Sequence, residues 1–494
     1  MGLLPMLRSA LKPFPAVRRF GGKWLDRRQA QHYTRWLQQF ILSDQQLQDQ
    51  RQEALRLPQR SLLSIVVPTY KTPLQYFHEM VASVQAQTYD NWELLIVDDA
   101  SDDAELHDAI RMYAESDSRI HYKLLDANIG ISGATNVAFS MCRGEYVSLF
   151  DHDDLLWPNA LFEVASAINE HDIDLIYTDE EKFYEGQSGR RVPFLKPDWN
   201  PDLLRSINYI THLTTVRRSM LEEVGNEDKT YEGAQDWELL LRVTRSIAAT
   251  RIHHIPKVLY GWRVHASSTA LAIETKPYVA SSQCRLLKED LKHSGHTTFT
   301  VKQDAEFPAQ WLIEPKPGPV PCISFVVRDA SMQAYVEKNL EAQSDLKYEV
   351  VVLGSAGWQE QLRNLQGELV VFVERQGTDS LSNLVGRMAA EARDQEVGFI
   401  VAQCNTADIY KNLRELLEPA AYDYVVSSSE RDLSKHFYLT TRYTIKGSHA
   451  GLLLIAKAHL LAHIDKSDTT LELEIVSRRA SENGLRNIFN PYIR

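Results

Sequence analysis

The residues best suited to chemistry lie between 144 and 154, where an apolar run ends in acids. Residues 146–150 read Tyr-Val-Ser-Leu-Phe, and Asp151, His152, Asp153 and Asp154 follow directly. Such a run is typical of a strand covered on both faces, as in parallel α/β sheets. Carboxylates this close repel one another unless a cation lies between them, and oxygen ligands favour Mg²⁺ or Mn²⁺ over Zn²⁺. The pattern predicts a metal site, with a solvated acidic loop or a helix N-cap at Asp154 as alternatives.

Acids also follow two other predicted strands. Residues 92–97 are followed by Asp98 and Asp99, and residues 175–178 by Asp179 and Glu180. Ligands of open α/β sheets bind at the carboxyl ends of the strands, so these acids are candidates for the same site. We place Asp179 and Glu180 on its sugar or acceptor side. Asp98 and Asp99 could instead cap the helix that begins near Asp102.

A glycine-containing loop at 128–136 runs into the next predicted helix. Its amides could approach a phosphate closely, which makes Gly130, Ser132 and Asn136 candidates for donor binding. The loop lacks the spacing of a dinucleotide fingerprint and of a P-loop. As a phosphate site it is a weak signal by itself.

The stretch from 155 to 213 is predicted as a helix over 155–168, the strand at 175–178, an irregular loop and a strand over 208–213. The loop, residues 186–202, contains Trp199. Aromatic and charged residues in a loop suit a sugar-binding wall, and a packed crossover loop fits the pattern as well.

Two later stretches carry ionisable groups. Asp236 lies between Gln235 and Trp237 in the first turn of a predicted helix, where the dipole lowers a carboxylate's pKa. This position suits an ionised base, or simply stabilises the helix. Arg263 and His265 follow a predicted strand, and together they suit a diphosphate or its metal, whereas a lone surface histidine is the default.

Composition limits the classes of protein that the chain can be. Its 494 residues, 44% hydrophobic, allow two to four domains with packed cores. A net charge of −12 argues against a general nucleic-acid binder. The four cysteines form no CxxC pair, which fits a reducing cytosol and no zinc site. We find no apolar run of about 20 residues and, with Pro5, Pro13 and Pro15 near the start, expect no secretory signal.

Residues 1–60 are predicted to form a basic arm and a packing helix. Residues 1–28 carry seven Lys or Arg against the single acid Asp26, with apolar and aromatic residues among them. Such segments can lie on anionic membranes, so peripheral contact with the inner face of the plasma membrane is one interpretation. A charged arm packed on the body is the other. The predicted location is cytoplasmic in either case.

Together these stretches resemble bacterial family 2 glycosyltransferases of the inverting type, over about residues 61–270. The resemblance is carried by six motifs in order: Val66-Val67-Pro68-Thr69-Tyr70, Val97-Asp98-Asp99-Ala100-Ser101, residues 130–136, Asp151-His152-Asp153-Asp154, Gln235-Asp236 and Trp262-Arg263-Val264-His265-Ala266-Ser267-Ser268. Residues 194–202 look most like members that build O-antigen and related surface polysaccharides. The resemblance implies the α/β fold called GT-A, a mostly parallel sheet with helices on both faces.

The resemblance also implies roles for single residues. Pro68, Thr69 and Tyr70 match the segment that lines the base pocket, and Asp99 matches the acid that binds the pyrimidine. Asp153 matches the direct metal ligand, Asp151 lies near the ribose or metal, and Arg263, His265 and Ser268 match a loop that closes over the diphosphate, with His265 completing the metal shell. Asp236 matches the general base. Gln235 stands where many relatives have Glu, which affects acceptor contacts, and Trp237 is placed on the acceptor side.

The implied enzyme is a metal-dependent inverting hexosyltransferase that uses Mn²⁺ or Mg²⁺. It would move a hexose or deoxyhexose from a nucleotide-diphosphate sugar to a saccharide or lipid-linked oligosaccharide of a surface polysaccharide. A protein acceptor and a non-catalytic glycan-binding scaffold are the alternatives. A sugar-phosphate nucleotidyltransferase would need a glycine-rich basic loop where residues 68–73 read Pro-Thr-Tyr-Lys-Thr-Pro.

The pattern of residues 61–303, the predicted catalytic domain, starts again after a proline-rich linker at 304–321. Residues 323–327 repeat 63–67, and residues 367–373 repeat 144–150. The active-site aspartates do not recur, because in this register Asp98, Asp99, Asp151, Asp153 and Asp236 fall opposite Gly354, Ser355, Glu374, Gln376 and Thr470. Residues 322–494 are therefore predicted to be a degenerate GT-A-like domain without catalytic motifs. Chance similarity between two α/β domains is the alternative.

Overall fold

The computed structural model describes most of the chain from residue 33 to residue 489. The described residues are 33, 35–38, 40–185, 191–265, 277–305, 308–316, 321–340, 346–354, 357–373, 389, 397–402, 443–445, 452–465, 468, 471, 473–483 and 485–489. Among them are two compact units, 33–196 with 210–279 and 197–209 with 280–489. The basic arm at 1–28 and Ser268 lie outside the described residues. None of the described helices has the length and apolarity that a bilayer crossing requires.

The first unit consists of a nine-stranded sheet and its helices. Its strands are β1 Leu63–Thr69, β2 Trp92–Asp98, β3 Ile120–Leu124, β4 Tyr146–Leu149, β5 Leu155–Leu156, β6 Leu175–Tyr184, β7 Arg191–Phe194, β8 Thr214–Arg217 and β9 Ile252–Val264. Its helices are α1 Asp44–Ala54, α2 Leu74–Gln85, α3 Ala104–Ser116, α4 Ile131–Met141, α5 Ala160–Glu170, α7 Arg218–Val224 and α8 Gln235–Ser246. Helix α6, Pro201–Ser206, belongs to the second unit.

The sheet order is β3-β2-β1-β4-β8-β6-β9-β5, with β7 paired to β6. Strands β3, β2, β1 and β4 are parallel, and so are β6 and β9, while β8 runs antiparallel between β4 and β6. The α/β prediction with a mostly parallel sheet is confirmed. Because β2, β1 and β4 are parallel neighbours, their carboxyl ends lie at one edge of the sheet.

Burial explains why these segments are strands and helices. Every residue of β2 is buried, as the apolar run predicts, and Trp92 and Phe77 are among the largest buried side chains of the core. Burying one such side chain stabilises the fold by about 1.5–3 kcal/mol. Helix α3 begins after Asp103, whose carboxylate accepts from Leu106 N at 3.1 Å. Asp103 is therefore the N-cap, and the alternative of capping by Asp98 or Asp99 is wrong.

Two predicted elements differ from the structure. Residues 155–168 were predicted as one helix, but β5 comes first and α5 begins at Ala160, because Pro158 has no amide proton to continue a helix ladder. Residues 208–213 are not a strand. The carbonyls of Ile210 and His212 accept from the buried Lys196 ammonium instead of from a neighbouring strand.

The second unit contains a seven-stranded sheet and a hairpin. Its strands are β10 Phe299–Gln303, β11 Trp311–Pro315, β12 Ile323–Val327, β13 Tyr348–Val352, β14 Leu369–Val373, β15 Val397–Ala402, β16 Tyr443–Ile445, β17 Leu452–Ala456 and β18 Arg486–Phe489. Its helices after α6 are α9 Pro277–His293, α10 Ala330–Leu340, α11 Trp358–Asn364, α12 Lys457–His463 and α13 Leu473–Glu482. The boundary between the units falls inside α9, at residue 280.

Part of the predicted linker is a strand. Strand β11 pairs antiparallel with β10, from Phe299 opposite Pro315 to Gln303 opposite Trp311. Phe299 and Ile313 pack with Leu291 of α9 in a small apolar cluster. The prolines of 304–321 suggested a linker, but alternate inward residues such as Trp311 and Ile313 made β11 the stronger local preference.

The strands of the second sheet have the same order and directions as a set of strands in the first sheet. Its order is β13-β12-β14-β17-β15-β18-β16. Strands β13, β12 and β14 are parallel, β17 is antiparallel to β14 and β15, and β18 is parallel to β15. In the first sheet β2, β1, β4, β8, β6 and β9 have the same order and directions. Two unrelated α/β domains would not be expected to share all of these pairings. The two units therefore have a common arrangement of strands.

The repeat extends to single hydrogen bonds. In the first unit Gly144 N donates to Ser64 Oγ at 2.9 Å, and that hydroxyl donates to Glu93. In the second unit Gly367 N donates to Ser324 Oγ at 2.8 Å, and that hydroxyl donates to Glu349. A Cβ on either glycine would lie within 2.6 Å of neighbouring atoms. Glycine is required at both positions by the same close approach.

Candidate active site

The acids that follow β2 and β4 lie at the carboxyl edge shared by β2, β1 and β4. Strand register fixes what faces them. Leu149 pairs with Thr214, so the chain before β8 lies opposite the acids that follow β4. Leu155 pairs with Gly261, so the end of β9 lies beside the same acids. The sheet thus brings residues from 151–154, 210–213 and 261–265 together.

Asp98 holds the end of β2 in place. It is completely buried, and its oxygens accept from Ser101 N at 2.9 Å and from Ser101 Oγ at 2.6 Å. Thr69 Oγ1 at 3.2 Å and His107 Nε2 at 3.0 Å approach the same carboxylate. These four partners surround the carboxylate. We therefore correct the prediction that Asp98 and Thr69 contact the donor, because both side chains are buried and engaged with each other.

Asp99 is bound by the glycine-containing loop. Its two oxygens accept from Ile129 N at 2.7 Å and Gly130 N at 2.9 Å, and Gly130 has a φ of +80° that favours glycine. The prediction that these amides cradle a phosphate is therefore wrong for Gly130, because a carboxylate of the protein already occupies them. Tyr70 is exposed at the adjacent edge, 44% of its surface, and Pro68 is half-buried on β1.

Ser132 and Asn136 of α4 have structural partners. Asn136 Nδ2 donates to Glu227 O at 2.8 Å, and Asn136 Oδ1 accepts from Glu227 N at 3.0 Å. Ser132 is buried, 3% exposed. Both residues were predicted to bind the donor, but the structure uses Asn136 to hold the loop around Glu227.

Asp151 and Asp154 form a compact group with His212. Ligand atoms of these three side chains lie within 4.8 Å of one another. Half of the Asp151 side chain remains exposed, 48%, and its Oδ2 lies 3.4 Å from His212 Nε2. Asp154 is buried, and its oxygens accept from Tyr260 Oη at 2.6 Å and Arg263 N at 2.7 Å. Asp151 thus faces open space, while Asp154 ties the acidic segment to β9.

Electrostatics separate these two carboxyl groups. Burial, reinforced by the charge of Asp151, raises the pKa of Asp154 well above its ordinary value. Burial would also raise the pKa of Asp151, but the hydrogen bond and charge of His212 outweigh it, so that this pKa lies below its ordinary value. The two pKa values are therefore shifted in opposite directions, Asp151 toward its ionised form and Asp154 toward its protonated form.

His212 is a site residue that the sequence did not reveal. Its Nδ1 lies 3.2 Å from Glu180 Oε2, and its ring stacks on Tyr260 with centroids 4.5 Å apart. Burial would lower its pKa, but the charges of Glu180 and Asp151 raise the pKa of His212 to about 10. The signal that could have found it is positional, because a residue just before an antiparallel neighbour of β4 must lie at the carboxyl edge of β4.

Glu180 and Asp179 support the site from beneath. Glu180 is fully buried and accepts from Lys196 Nζ at 3.1 Å and Thr211 Oγ1 at 2.7 Å. Asp179 accepts from Lys196 N at 2.7 Å and lies 3.0 Å from His254 Nε2. The prediction that these two acids face the sugar or acceptor is therefore wrong, since both are buried in internal pairs. Trp199, predicted for the same wall, lies in the second unit.

Asp153 and Arg263 meet at the end of β9. Asp153 Oδ2 lies 2.8 Å from His265 Nε2, so the two residues predicted to share a metal are neighbours. Arg263 is 5% exposed, donates to Asp153 O at 2.6 Å and Glu79 at 2.5 Å, and lies over the ring of Tyr76 at 4.4 Å. Its guanidinium is thus held within the protein in this structure, beside the position predicted for the diphosphate.

Asp236 begins α8 and belongs to the same electrostatic group. Burial raises its pKa, the Trp237 amide and His212 oppose that change, and Asp151 reinforces it. The side chain of Gln235 accepts from Gly233 N at 2.8 Å, and Trp237 is 2% exposed. The prediction that Trp237 contacts the acceptor is corrected, because its ring belongs to the core. Asp236 and Asp151, distant in sequence, are close enough to affect each other's ionisation.

The side chains here fit a divalent cation. Asp151 offers exposed, ionised oxygens, and Asp153 with His265 offers an oxygen and an imidazole nitrogen, a set that suits Mn²⁺ or Mg²⁺. Asp154 fits less well, because both of its oxygens already accept hydrogen bonds. Among the described residues, Asp151, Asp154 and His212 are the group of three ligating side chains that the structure brings together.

Comparison with known proteins gives the relationship of this chain. Residues 64–225 match the family model described as Glycosyl transferase family 2. A protein of Sinorhizobium fredii, y4gI, is 43% identical over 247 residues, 50% of this chain and 27% of that protein. The O-antigen biosynthesis protein RfbC of Myxococcus xanthus is 36% identical over 278 residues, 56% of this chain and 21% of that protein. This chain therefore spans about a quarter of the length of these relatives.

Solved structures were compared as well. S. aureus TarS in complex with UDP-GlcNAc has 19% sequence identity and a TM-score of 0.37, over 48% of this chain and 73% of that one. Residues 64–225 are thus similar to family 2 glycosyltransferases, as the sequence motifs predicted, and the observed sheet confirms the α/β fold class.

Proposed function

Because residues 64–225 match the Glycosyl transferase family 2 model, we propose that this protein transfers a hexose or deoxyhexose from a nucleotide-diphosphate sugar to a saccharide or lipid-linked saccharide, with inversion. What supports this proposal is that Asp99 and Asp151 follow two parallel strands on either side of β1, and that Asp151 lies near enough to Asp236 to reinforce its raised pKa. These acids come from three separate elements. A protein that only binds glycans would have no need to place an ionised carboxylate against a candidate base.

The donor would lie between the end of β2 and the acids that follow β4. Asp99 is 3% exposed and its two oxygens accept from the amides of Ile129 and Gly130, so it would support the base pocket beside Tyr70 by holding this loop in place. Asp151 would approach the ribose or the diphosphate. Arg263 lies behind Asp153, held by Glu79, and would contact the diphosphate by exchanging that partner for a phosphate oxygen.

A divalent cation would be held by Asp151 and Asp153, with His265 beside them. When bound, it neutralises charge on the leaving diphosphate. The protein's own part is to keep these ligands oriented. His212, anchored by Glu180 at one ring nitrogen, fixes the position of Asp151 from the other.

Asp236 would act as the general base. In a single displacement, the acceptor oxygen forms a bond to the anomeric carbon while the bond to the diphosphate oxygen breaks, and the acceptor proton passes to the Asp236 carboxylate. The raised pKa of Asp236 suits this role, because a base whose pKa lies closer to the working pH accepts a proton more readily. Attack from the face opposite the leaving group inverts the anomeric centre.

The class of product follows from a relative. RfbC carries an O-antigen name, and we infer that surface polysaccharide assembly is the process in which this transfer takes place. The second unit repeats the scaffold, and we infer that it is non-catalytic, because none of the five aspartates recurs in its sequence. The positions of Ser355, Glu374, Gln376 and Thr470 lie outside the described residues. We also propose a cytoplasmic location, with residues 1–28 as a membrane-contacting arm.

A donor screen tests the function. The full chain is incubated with UDP-, GDP- and dTDP-sugars, with Mn²⁺, with Mg²⁺ or with a chelator, and release of nucleoside diphosphate is measured with and without saccharide acceptors. We expect release from one nucleotide class that rises with acceptor and is lost with chelator. If circular dichroism shows that the protein is folded and no donor releases nucleoside diphosphate, the proposal is overturned.

A further inference from the structure

Glu227 is a buried carboxyl group beside the candidate base. It lies in the loop between α7 and a 3₁₀ turn at Lys229–Tyr231. Its backbone is held from both sides by Asn136 of α4, with distances of 3.0 and 2.8 Å. A position fixed by two such bonds is well defined. The loop therefore presents the Glu227 side chain toward α4 and the start of α8.

The Glu227 side chain is 7% exposed, and its Oε2 is buried with no hydrogen-bond partner among the described residues. Arg242, which bonds the backbone of the same loop, does not supply one. Arg242 donates to the carbonyls of Gly225 and Asn226 and to Glu238. A buried carboxyl oxygen without a partner is unfavourable, so its presence points to a group that the protein alone does not provide.

The charges that face Glu227 are mostly negative. Asp236 and Glu238 approach from α8, Asp151 from the segment after β4, and the Ser132 side chain from α4. Burial, followed by the charge of Asp236, raises the pKa of Glu227 to about 8, and Ser132 opposes the change. At neutral pH the group is therefore an acid with a proton to donate. A protonated carboxyl group beside a candidate base is an arrangement suited to acid and base roles.

We propose that Glu227 is a second substrate-contacting carboxyl group of this site, whose Oε2–H donates a hydrogen bond to an acceptor oxygen next to the hydroxyl that Asp236 deprotonates. This inference rests on the proposed transferase function. It implies that the acceptor carries two neighbouring oxygens at the point of attachment, as a sugar with adjacent hydroxyls does. Asp236 would take the proton of one oxygen, and Glu227 would hold the other.

The first test needs no substrate. Unfolding of the full chain is followed from pH 5 to pH 9 for the native protein, for Glu227→Gln and for the control Glu222→Gln, whose side chain is 61% exposed. The unfolded chain releases the Glu227 proton near the ordinary pKa, and the folded chain near pH 8. Between the ordinary pKa of a glutamate and pH 8, the native protein should therefore lose stability relative to Glu227→Gln. The loss is about tenfold in the folding equilibrium per pH unit.

The control should follow the native protein at every pH. If the difference in free energy of unfolding between the native protein and Glu227→Gln did not change with pH, Glu227 would be ionised in the folded protein. That result would overturn the inference.

The second test uses the donor and acceptor found in the screen. Glu227→Ala should raise the acceptor KM about tenfold and leave the donor KM unchanged, while Glu227→Gln, whose amide still donates, should stay within about threefold of the native protein. An unchanged acceptor KM in Glu227→Ala, with an active native protein, would overturn this inference alone. A native protein inactive with every donor would overturn the transferase proposal and the acceptor contact with it, while the unfolding profile would still report the ionisation of Glu227.

Discussion

The matching strands of the two sheets have the same order, but different residues follow them at the carboxyl edges. In the first, β2 ends in Asp98 and Asp99; in the second, the matching β13 is followed by Leu353 and Gly354. The Ser64 and Ser324 hydroxyls, by contrast, bind the same kinds of partner in both units. The packing interior therefore persists in a sheet whose carboxyl edge lacks the acids that follow β2.

The contrast between the two units predicts that the transferase activity depends on acids of the first unit. We expect Asp236→Asn to lower transfer about 10³-fold, about 4 kcal/mol in activation free energy, because the amide cannot accept the acceptor proton. Product formation under saturating donor measures this effect. The matched control is Asp468→Asn in the second unit, where Arg479 pairs with the carboxylate at 2.7 Å. Loss of transfer in the control of similar size would contradict the division of labour.

The shared glycines sharpen the comparison of the scaffolds. A Cβ at Gly144 would lie 2.6 Å from Leu62 O, and one at Gly367 would lie 2.4 Å from Ser324 N. We expect Gly144→Ala and Gly367→Ala each to destabilise its own unit by about 1–3 kcal/mol, because backbone atoms cannot move aside cheaply. Denaturant unfolding measures the loss. Stability unchanged in one variant would show that the two close approaches are not equivalent.

His212 tests the site that only the first sheet carries. We expect His212→Gln to lower kcat about 10–100-fold, because Asp151 and Glu180 lose the imidazole that orients them. The control is His463→Gln in the second unit. The Nδ1 atom of His463 lies 2.7 Å from the His459 carbonyl oxygen. A kcat for His212→Gln equal to that of the native protein would remove His212 from the positioning role.

The smallest expected difference concerns the buried serines. Ser64→Ala should cost about 1–2 kcal/mol, because Glu93, 1% exposed, loses a donor that water cannot replace. Ser324→Ala should cost less than about 1 kcal/mol, since Glu349 is half-buried and water can reach it. Thermal unfolding of both variants decides. Equal costs would mean that the environments of Glu93 and Glu349 are more alike than their burial indicates.

Local patterns were sufficient for the elements that depend on local forces. The apolar runs at 63–67 and 92–97 became β1 and β2, and the repeated runs at 323–327 and 369–373 became β12 and β14. Asp236 at a helix start was predicted from its neighbours alone. These predictions succeeded because periodicity, burial and helix capping act within a few residues.

The sequence by itself determined that acids follow buried strands, that the apolar skeleton recurs and that the recurrence lacks the aspartates. Only the tertiary structure decided which acids face the site. Asp151 follows a strand and keeps 48% of its side chain exposed. The acids at the end of β2 and within β6 are buried, and internal partners bind them. The pairing of β8 beside β4 brought His212 to Asp151, and the loop after α7 brought Glu227 to Asp236. The reason is physical: a carboxylate's role depends on its solvation and its partners, and both are set by contacts between residues distant in the chain.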